Sequence, residues 1–380
     1  MKRKNFLKEM AFFVGVLMMT ACATGVRYDI SGTWKEGAGN KIYLNRIVEG
    51  DSIVAIDSTT VAADFTFVLK GSVSNIQKMA LTYADDHKKE IMVDGEPMRV
   101  TFEKKIVGSG DMEREILSVT CEGNKEQAVL EKGRDLQTTL ALMGLGKMMV
   151  LSKLDANDQK TVDSVSNMLH VLDSALQATV VNYVDSTRNY YASTYFFEDY
   201  LLDNYAYDEV QGFYNELTEK VKQSVPGIEL KKKIDELGMV SVGGVAPNFK
   251  AQTPEGEKLA LYDLRGHIVL LDFWASWCGP CMAEMPNVKE IYKKYHDKGL
   301  EILGVSLDSD RESWVNAIQK NELKWYHVSS LSQFDCPIAK RFRVTGIPRM
   351  YVINESGKIV AQDLRGESLA KKMEELFAGK

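Results

Sequence analysis

The chain has 380 residues, 45% of them apolar, 26% charged and 9% aromatic. That make-up excludes a disordered chain, a collagen and a multi-span membrane protein, and the length calls for two or three domains. With 47 basic against 53 acidic residues and a net charge of −6, no basic excess points to nucleic acid as a partner, and five cysteines are too few for a disulfide scaffold.

Residues 1–22 open with Lys2, Arg3, Lys4 and Lys8, continue through an apolar run from Met10 to Met19, and end Thr20-Ala21-Cys22. The run is too short for a bilayer core, which takes about 20 residues, and fits a secretory signal. Small residues before a cysteine resemble the lipobox of bacterial lipoproteins, with Met19 where Leu is more usual. The resemblance implies that Cys22 is lipidated and becomes the mature N-terminus. The chain is then expected on the periplasmic side of a Gram-negative cell envelope, anchored to a membrane without spanning it. An ordinary signal peptide with an incidental cysteine is the alternative.

Residues 28–125 read as a small antiparallel β domain. Lys41–Ile47, Ser52–Ile56, Asp64–Leu69, Met98–Phe102 and Ile116–Cys121 partly alternate polar with apolar, with breaks such as Glu49-Gly50-Asp51 and Gly95. Lone residues such as His87 and Asp57 read as surface or turn positions. From 134 to 237 the period changes to a helical one. Val162, Val165, Leu169, Leu172, Leu176 and Val180 recur at three and four, one face of a helix. Thr139–Leu151 is apolar but short and interrupted by Lys147, so it reads as a core helix. Tyr190–Tyr214 is dense in aromatics, for helix packing or, alternatively, for holding a partner protein. Pro226-Gly227 breaks that run, and Lys231, Lys232 and Lys233 read as a solvated helix face.

Residues 240–380 have an α/β pattern. Ile268–Trp274 is an apolar strand broken only by Asp272. Pro286–Tyr295 reads as helix, Glu301–Leu307 as a buried strand, Arg311–Gln319 as helix and Trp325–Val328 as extended. Met350–Ile353 and Lys358–Ala361 flank the turn signal Asn354-Glu355-Ser356-Gly357, and Ser368–Phe377 closes with a helix. A mixed sheet with helices on both faces is expected.

Trp277-Cys278-Gly279-Pro280-Cys281 follows the buried strand and opens a helix. A two-residue gap at a helix start puts two sulfurs near disulfide reach. The first sulfur sits at the positive end of the helix among unsatisfied N–H groups, which favours thiolate. Pro280 suits the first turn, where its missing N–H is not needed. A dithiol of this kind attacks a disulfide, forms a mixed disulfide and resolves it. A zinc site needs a second ligand pair that Cys121, Cys336 and the scattered histidines do not offer. A purely structural bridge across so short a loop removes little chain entropy.

The segment Val269–Cys281 resembles the active-site strand and helix of thioredoxins. Ala246-Pro247-Asn248-Phe249, Leu261–His267, Glu284 with Pro286, and Gly346-Ile347-Pro348 resemble the TlpA/ResA-like branch, over about residues 240–380. Residues 28–237 more loosely resemble the β-rich and helical leader of some thioredoxin-like lipoproteins. The resemblance implies a thioredoxin fold in which Cys278 is the nucleophile and Cys281 the resolving thiol. Asp272 then moves protons to and from Cys281, and a carboxylate buried in an apolar strand has the raised pKa that this needs. A satisfied core carboxylate is the bland alternative. Glu284, three residues past Cys281, shares its helical face and is expected to tune thiol acidity, unless it is a plain surface charge. By the same resemblance Pro348 is cis, and Ile347 pairs backbone to backbone with substrate. Trp277 shields the site and contacts substrate beside Gly279 and Pro280. Cys336, before the proline loop, is a third redox cysteine or a half-buried free thiol; Cys121 is treated alike.

The expected activity is thiol–disulfide exchange on protein disulfides, with a membrane electron donor as partner, a redox-active disulfide as the only prosthetic feature, and no metal. A peroxidase of the related alkyl hydroperoxide reductase type, with antioxidant activity, is one alternative, although Ala275 holds the position of its usual threonine. A partner-binding lipoprotein with the redox domain attached is another.

Overall fold

The computed structural model describes residues 25–48, 52–84, 87–108, 113–154 and 158–379. The signal segment 1–22 with Cys22 and the Glu49-Gly50-Asp51 break lie outside the described residues. No described helix is long and apolar enough to cross a membrane. The chain divides into two compact units.

The first unit runs to Gly146 and adds Tyr190–Ser193 and Ser224–Pro226. Its strands are β1 (Val26–Trp34), β2 (Lys41–Ile47), β3 (Ile53–Thr60), β4 (Thr66–Val73), β5 (Gln77–Tyr83), β6 (His87–Val93), β7 (Met98–Val107) and β8 (Arg114–Glu122). They make two four-stranded sheets, in orders β4-β1-β7-β8 and β3-β2-β5-β6. One pairing departs from the antiparallel expectation: β1 and β7 run parallel, with Ile30 opposite Met98. The chain crosses into the second sheet before β7 returns, and that long excursion permits a parallel pair that no tight turn can make. An aromatic cluster fills the core. Trp34 stacks on Phe102 at 4.8 Å, and Tyr83 and Phe67 meet Phe102 edge-on. Gly32 is required there, because a Cβ would lie 2.2 Å from the Val100 carbonyl oxygen and 2.4 Å from the Phe67 ring. Sequence patterning missed β1, although it alternates from Val26 to Trp34, and missed β5 and β6, which have no clean alternation.

Helix α1 (Lys125–Leu151) begins nine residues before the expected 134. The Asn124 side chain starts it, its Oδ1 accepting from the Gln127 N–H at 2.6 Å. Val129, Leu130 and Leu140 are buried, but Leu142, Leu145, Met148 and Met149 are each more than half exposed. The expectation that Thr139–Leu151 is a core helix is therefore corrected for the residues beyond Leu140.

The second unit holds Lys147–Asn189, Thr194–Gln223 and Gly227–Lys380, so most of the helical stretch 134–237 groups with the α/β segment. Helix α2 (Gln159–Thr187) is capped by Asp158 and buries Leu169 and Val180 of the expected face. The aromatic-rich stretch packs on itself: Tyr183, Phe196, Tyr200, Tyr205 and Phe213 form a chain of ring contacts. A short turn at Leu202–Asn204 precedes α3 (Tyr207–Glu216) and α4 (Val225–Met239). Pro226 starts α4 in its first turn.

The remaining sheet has seven strands, β9 (Lys250–Gln252), β10 (Lys258–Ala260), β11 (Ile268–Trp274), β12 (Leu300–Ser306), β13 (Tyr326–Ser329), β14 (Arg349–Ile353) and β15 (Ile359–Gln362). Their order is β10-β9-β13-β12-β11-β14-β15. The central strands β11, β12 and β13 are parallel, and β14 and β15 are antiparallel. Helices α5 (Gly279–Tyr295), α6 (Arg311–Lys320), α7 (Pro337–Arg341) and α8 (Gly366–Phe377) complete the mixed α/β thioredoxin fold. Every residue of β11 is buried, which explains its unbroken apolar run. Gly357 adopts φ +87° in the β14–β15 turn, where Asn354 Oδ1 accepts from Lys358 N at 2.9 Å.

Candidate active site

The chain leaves the carboxyl end of β11 through Ala275-Ser276-Trp277 and enters α5 at Cys278, its N-cap residue. Asp308 holds this loop. Its buried carboxylate accepts from the Ser276 N–H at 3.0 Å, the Ser276 hydroxyl at 2.5 Å and the Ser306 hydroxyl at 2.7 Å. Cys278 and Cys281 form a disulfide with Cα atoms 5.3 Å apart. The Cys281 N–H donates to Cys278 Sγ at 3.2 Å. The helix therefore offers an amide to the first sulfur, an arrangement that stabilises a thiolate there once the bond is reduced. Gly279 and Pro280 form the first turn between them. Cys278 is 5% exposed and Cys281 1%, whereas Trp277 is 54% exposed. The Trp277 ring lies 6.4 Å from that of Phe334, also exposed, so the disulfide has an aromatic rim on one side. Sequence reasoning had not singled out Phe334.

Asp272 lies on β11 with 1% exposure, and neither carboxylate oxygen has a hydrogen-bond partner among the described residues. Burial pushes its pKa up to about 7; repulsion by the Glu284 charge adds to the rise and attraction by Arg365 opposes it. Glu284 reaches across to α8, its Oε1 accepting from the Gly366 N–H at 2.8 Å and from Asn287 Nδ2 at 2.6 Å. Here Glu284 caps a second helix N-terminus while facing Asp272 electrostatically.

The Ile347–Pro348 peptide bond is cis. Pro348 is buried and Ile347 half-buried. The loop enters β14 at Arg349, opposite Phe273, and so lies at the end of the sheet from which the Cys278 loop departs. Arg365 Nη2 donates to the Pro348 carbonyl at 2.6 Å. Arg365 thus touches the proline loop and acts on Asp272, a link that sequence reasoning missed because Arg365 reads there as one more surface charge.

Cys336 and Cys121 are buried free thiols. Burial pushes the Cys121 thiol up to about 12, so it stays protonated and unreactive. The structure does not bring Cys336 into a disulfide, and its exposure of 0% corrects the expectation of a half-buried residue.

Residues 266–359 match a family model described as thioredoxin-like, and residues 28–130 match one described as a domain of unknown function. The thiol-disulfide oxidoreductase ResA of Bacillus thuringiensis is 36% identical over 138 residues, covering 36% of this chain and 76% of the relative. The chain belongs to the thioredoxin-like thiol-disulfide oxidoreductases. The ResA protein of Bacillus subtilis is 32% identical over 121 residues, covering 32% of this chain and 66% of its own length. Among solved structures, a thiol-disulfide oxidoreductase from Bacteroides fragilis is similar at 37% identity and TM-score 0.34, over 35% of this chain and 98% of that one.

Within this oxidoreductase, Arg365→Gln is expected to raise the pKa of Asp272 further and to free the Pro348 carbonyl. The pH at which mixed-disulfide resolution reaches half its maximal rate moves up by about one unit. Arg365→Lys, which keeps the charge, restores most of it. An unchanged pH profile in Arg365→Gln assigns Arg365 a packing role only.

Proposed function

We propose that this chain is a membrane-tethered, extracytoplasmic oxidoreductase that reduces protein disulfides through Cys278 and Cys281. The observation that carries the reading is the Cys281 N–H directed at Cys278 Sγ, on a strand–helix junction that also buries Asp272. In the dithiol form, the Cys278 thiolate attacks one substrate sulfur. A bond forms between them, the substrate disulfide breaks, and the departing substrate sulfur leaves as thiolate and takes a proton. Ionised Asp272 accepts the Cys281 proton. Cys281 then attacks Cys278 Sγ, closing the Cys278–Cys281 disulfide and releasing the second substrate sulfur. Two electrons pass from the dithiol to the substrate, and a membrane dithiol donor returns them. Ile347, with a free backbone beside Pro348, and the Trp277 ring hold the substrate. Lipidation at Cys22 keeps the protein beside that donor.

The test is the reduction potential of Cys278–Cys281 in the protein lacking residues 1–22. A value near −250 mV or lower, toward that of thioredoxin at about −270 mV, supports the reading. A value near −120 mV makes the protein an oxidant and overturns the direction proposed.

A further inference from the structure

A cleft of about 290 Å³ opens next to the cis-proline loop. One wall is the turn at Leu202–Tyr207, which precedes the thioredoxin-like segment in the chain; the other includes Arg343, Thr345, Arg349 and Gln362. Arg343 joins the walls, pairing with Asp203 at 2.8 Å. It does so from a left-handed backbone, φ +52°, a conformation that costs a non-glycine residue energy and is kept where the surroundings enforce it. Arg349 is matched by Asp363 at 2.5 Å. Both guanidinium charges in the cleft are therefore neutralised from within. Gln362 Oε1 is different: it is buried and has no hydrogen-bond partner among the described residues, which makes it an acceptor in want of a donor.

The approach to this cleft is an unpaired loop. Thr345, Gly346 and Ile347 make no backbone hydrogen bond with the described residues, and Thr345 and Gly346 are exposed. An extended peptide can pair along such a free edge. Two residues of an extended substrate span about 7 Å, and Thr345, two residues before Ile347, lines the cleft.

We propose that the cleft is a substrate subsite: it takes the side chain two residues from the reacting cysteine of an extended protein segment, and it prefers one that donates a hydrogen bond to Gln362. The inference rests on the disulfide-reductase reading above and adds where the client's sequence is sensed.

The probes are peptides with a central cysteine in mixed disulfide with a chromogenic aryl thiol, carrying Gln or Leu two residues before or after it. Each enzyme's rate is divided by its own rate on a small aryl disulfide, which reaches the dithiol without using the cleft. The wild-type dithiol protein is expected to favour Gln over Leu by about tenfold in kcat/KM at one of the two positions, the worth of one buried hydrogen bond. Gln362→Leu removes the preference, and Thr345→Trp, which fills the mouth, slows both peptides alike. Equal rates for Gln and Leu at both positions, with the aryl disulfide reduced normally, overturn the subsite. Failure to reduce the aryl disulfide at all overturns the reductase reading instead.

Discussion

Cys281→Ser is expected to stop turnover and leave the protein covalently joined to its substrate. Cys278 keeps its place at the head of α5 and still attacks, but no second thiol arrives to release the adduct. Multiple-turnover reduction falls by at least about 10³-fold, the scale on which loss of an acting group is read. Intact-mass spectrometry finds the mixed disulfide on Cys278. Cys278→Ser loses turnover equally and gathers no adduct, because Cys281 at 1% exposure is the wrong sulfur to meet a protein. Should Cys281→Ser instead consume hydroperoxide at the wild-type first-step rate, the site works as a peroxidase, and the assignment of Cys281 as resolving thiol is wrong.

The second large effect belongs to Asp272→Asn, which is expected to slow the enzyme and stabilise the fold together. As the proposed base for Cys281, Asp272 acts when ionised, so resolution in the wild type is expected to rise with pH through about 7. The asparagine cannot take a proton, and the rate above that pH drops by about 10²-fold. Stability responds in the opposite sense. The folded state holds the Asp272 proton up to about pH 7, whereas the unfolded chain releases it near 3.8. Between those values the unfolded state binds fewer protons, so wild-type stability declines as pH rises, levelling off once the folded carboxyl also ionises. Moving the carboxyl from 3.8 to about 7 corresponds to roughly 4 kcal/mol. Asp272→Asn has no such decline. Urea unfolding at pH 4 and pH 8 reads the difference: the variant gains on the wild type by an amount of that order between the two. Parallel curves at both pH values would falsify a raised pKa in the folded state.

What the sequence makes legible is what period and local chemistry encode. The apolar run of β11, the Cys278–Cys281 spacing at a helix start, Pro348, and the Asn354–Gly357 turn all carry their own signatures within a few residues. The unread parts depend on distance along the chain. Glu284 meets Gly366 across 82 residues and Arg343 meets Asp203 across 140, and nothing near either residue foretells its partner. Strand β5 escaped notice because it is buried on both faces from Met79 to Tyr83, which erases the alternation by which a strand is recognised. The far half of α1 misled for the converse reason. Hydrophobicity states a preference for burial, and Met148 and Met149 stay exposed among the described residues regardless.

Arg365 and Gly366 are consecutive, yet one is tied to the proline loop and the other, through Glu284, to the helix that carries both cysteines. A residue inserted between Gln362 and Gly366 displaces both ties at once. The turn at the opposite end of β14, Asn354–Gly357, is tied elsewhere: the Glu355 carbonyl accepts from the Gly266 N–H at 3.1 Å and the Gly357 carbonyl from the Ala246 N–H at 3.0 Å. In descent the two ends of one hairpin therefore answer to different neighbours: the distal turn to the segments that open the domain, while the proximal one must be inherited with the redox centre as a single block.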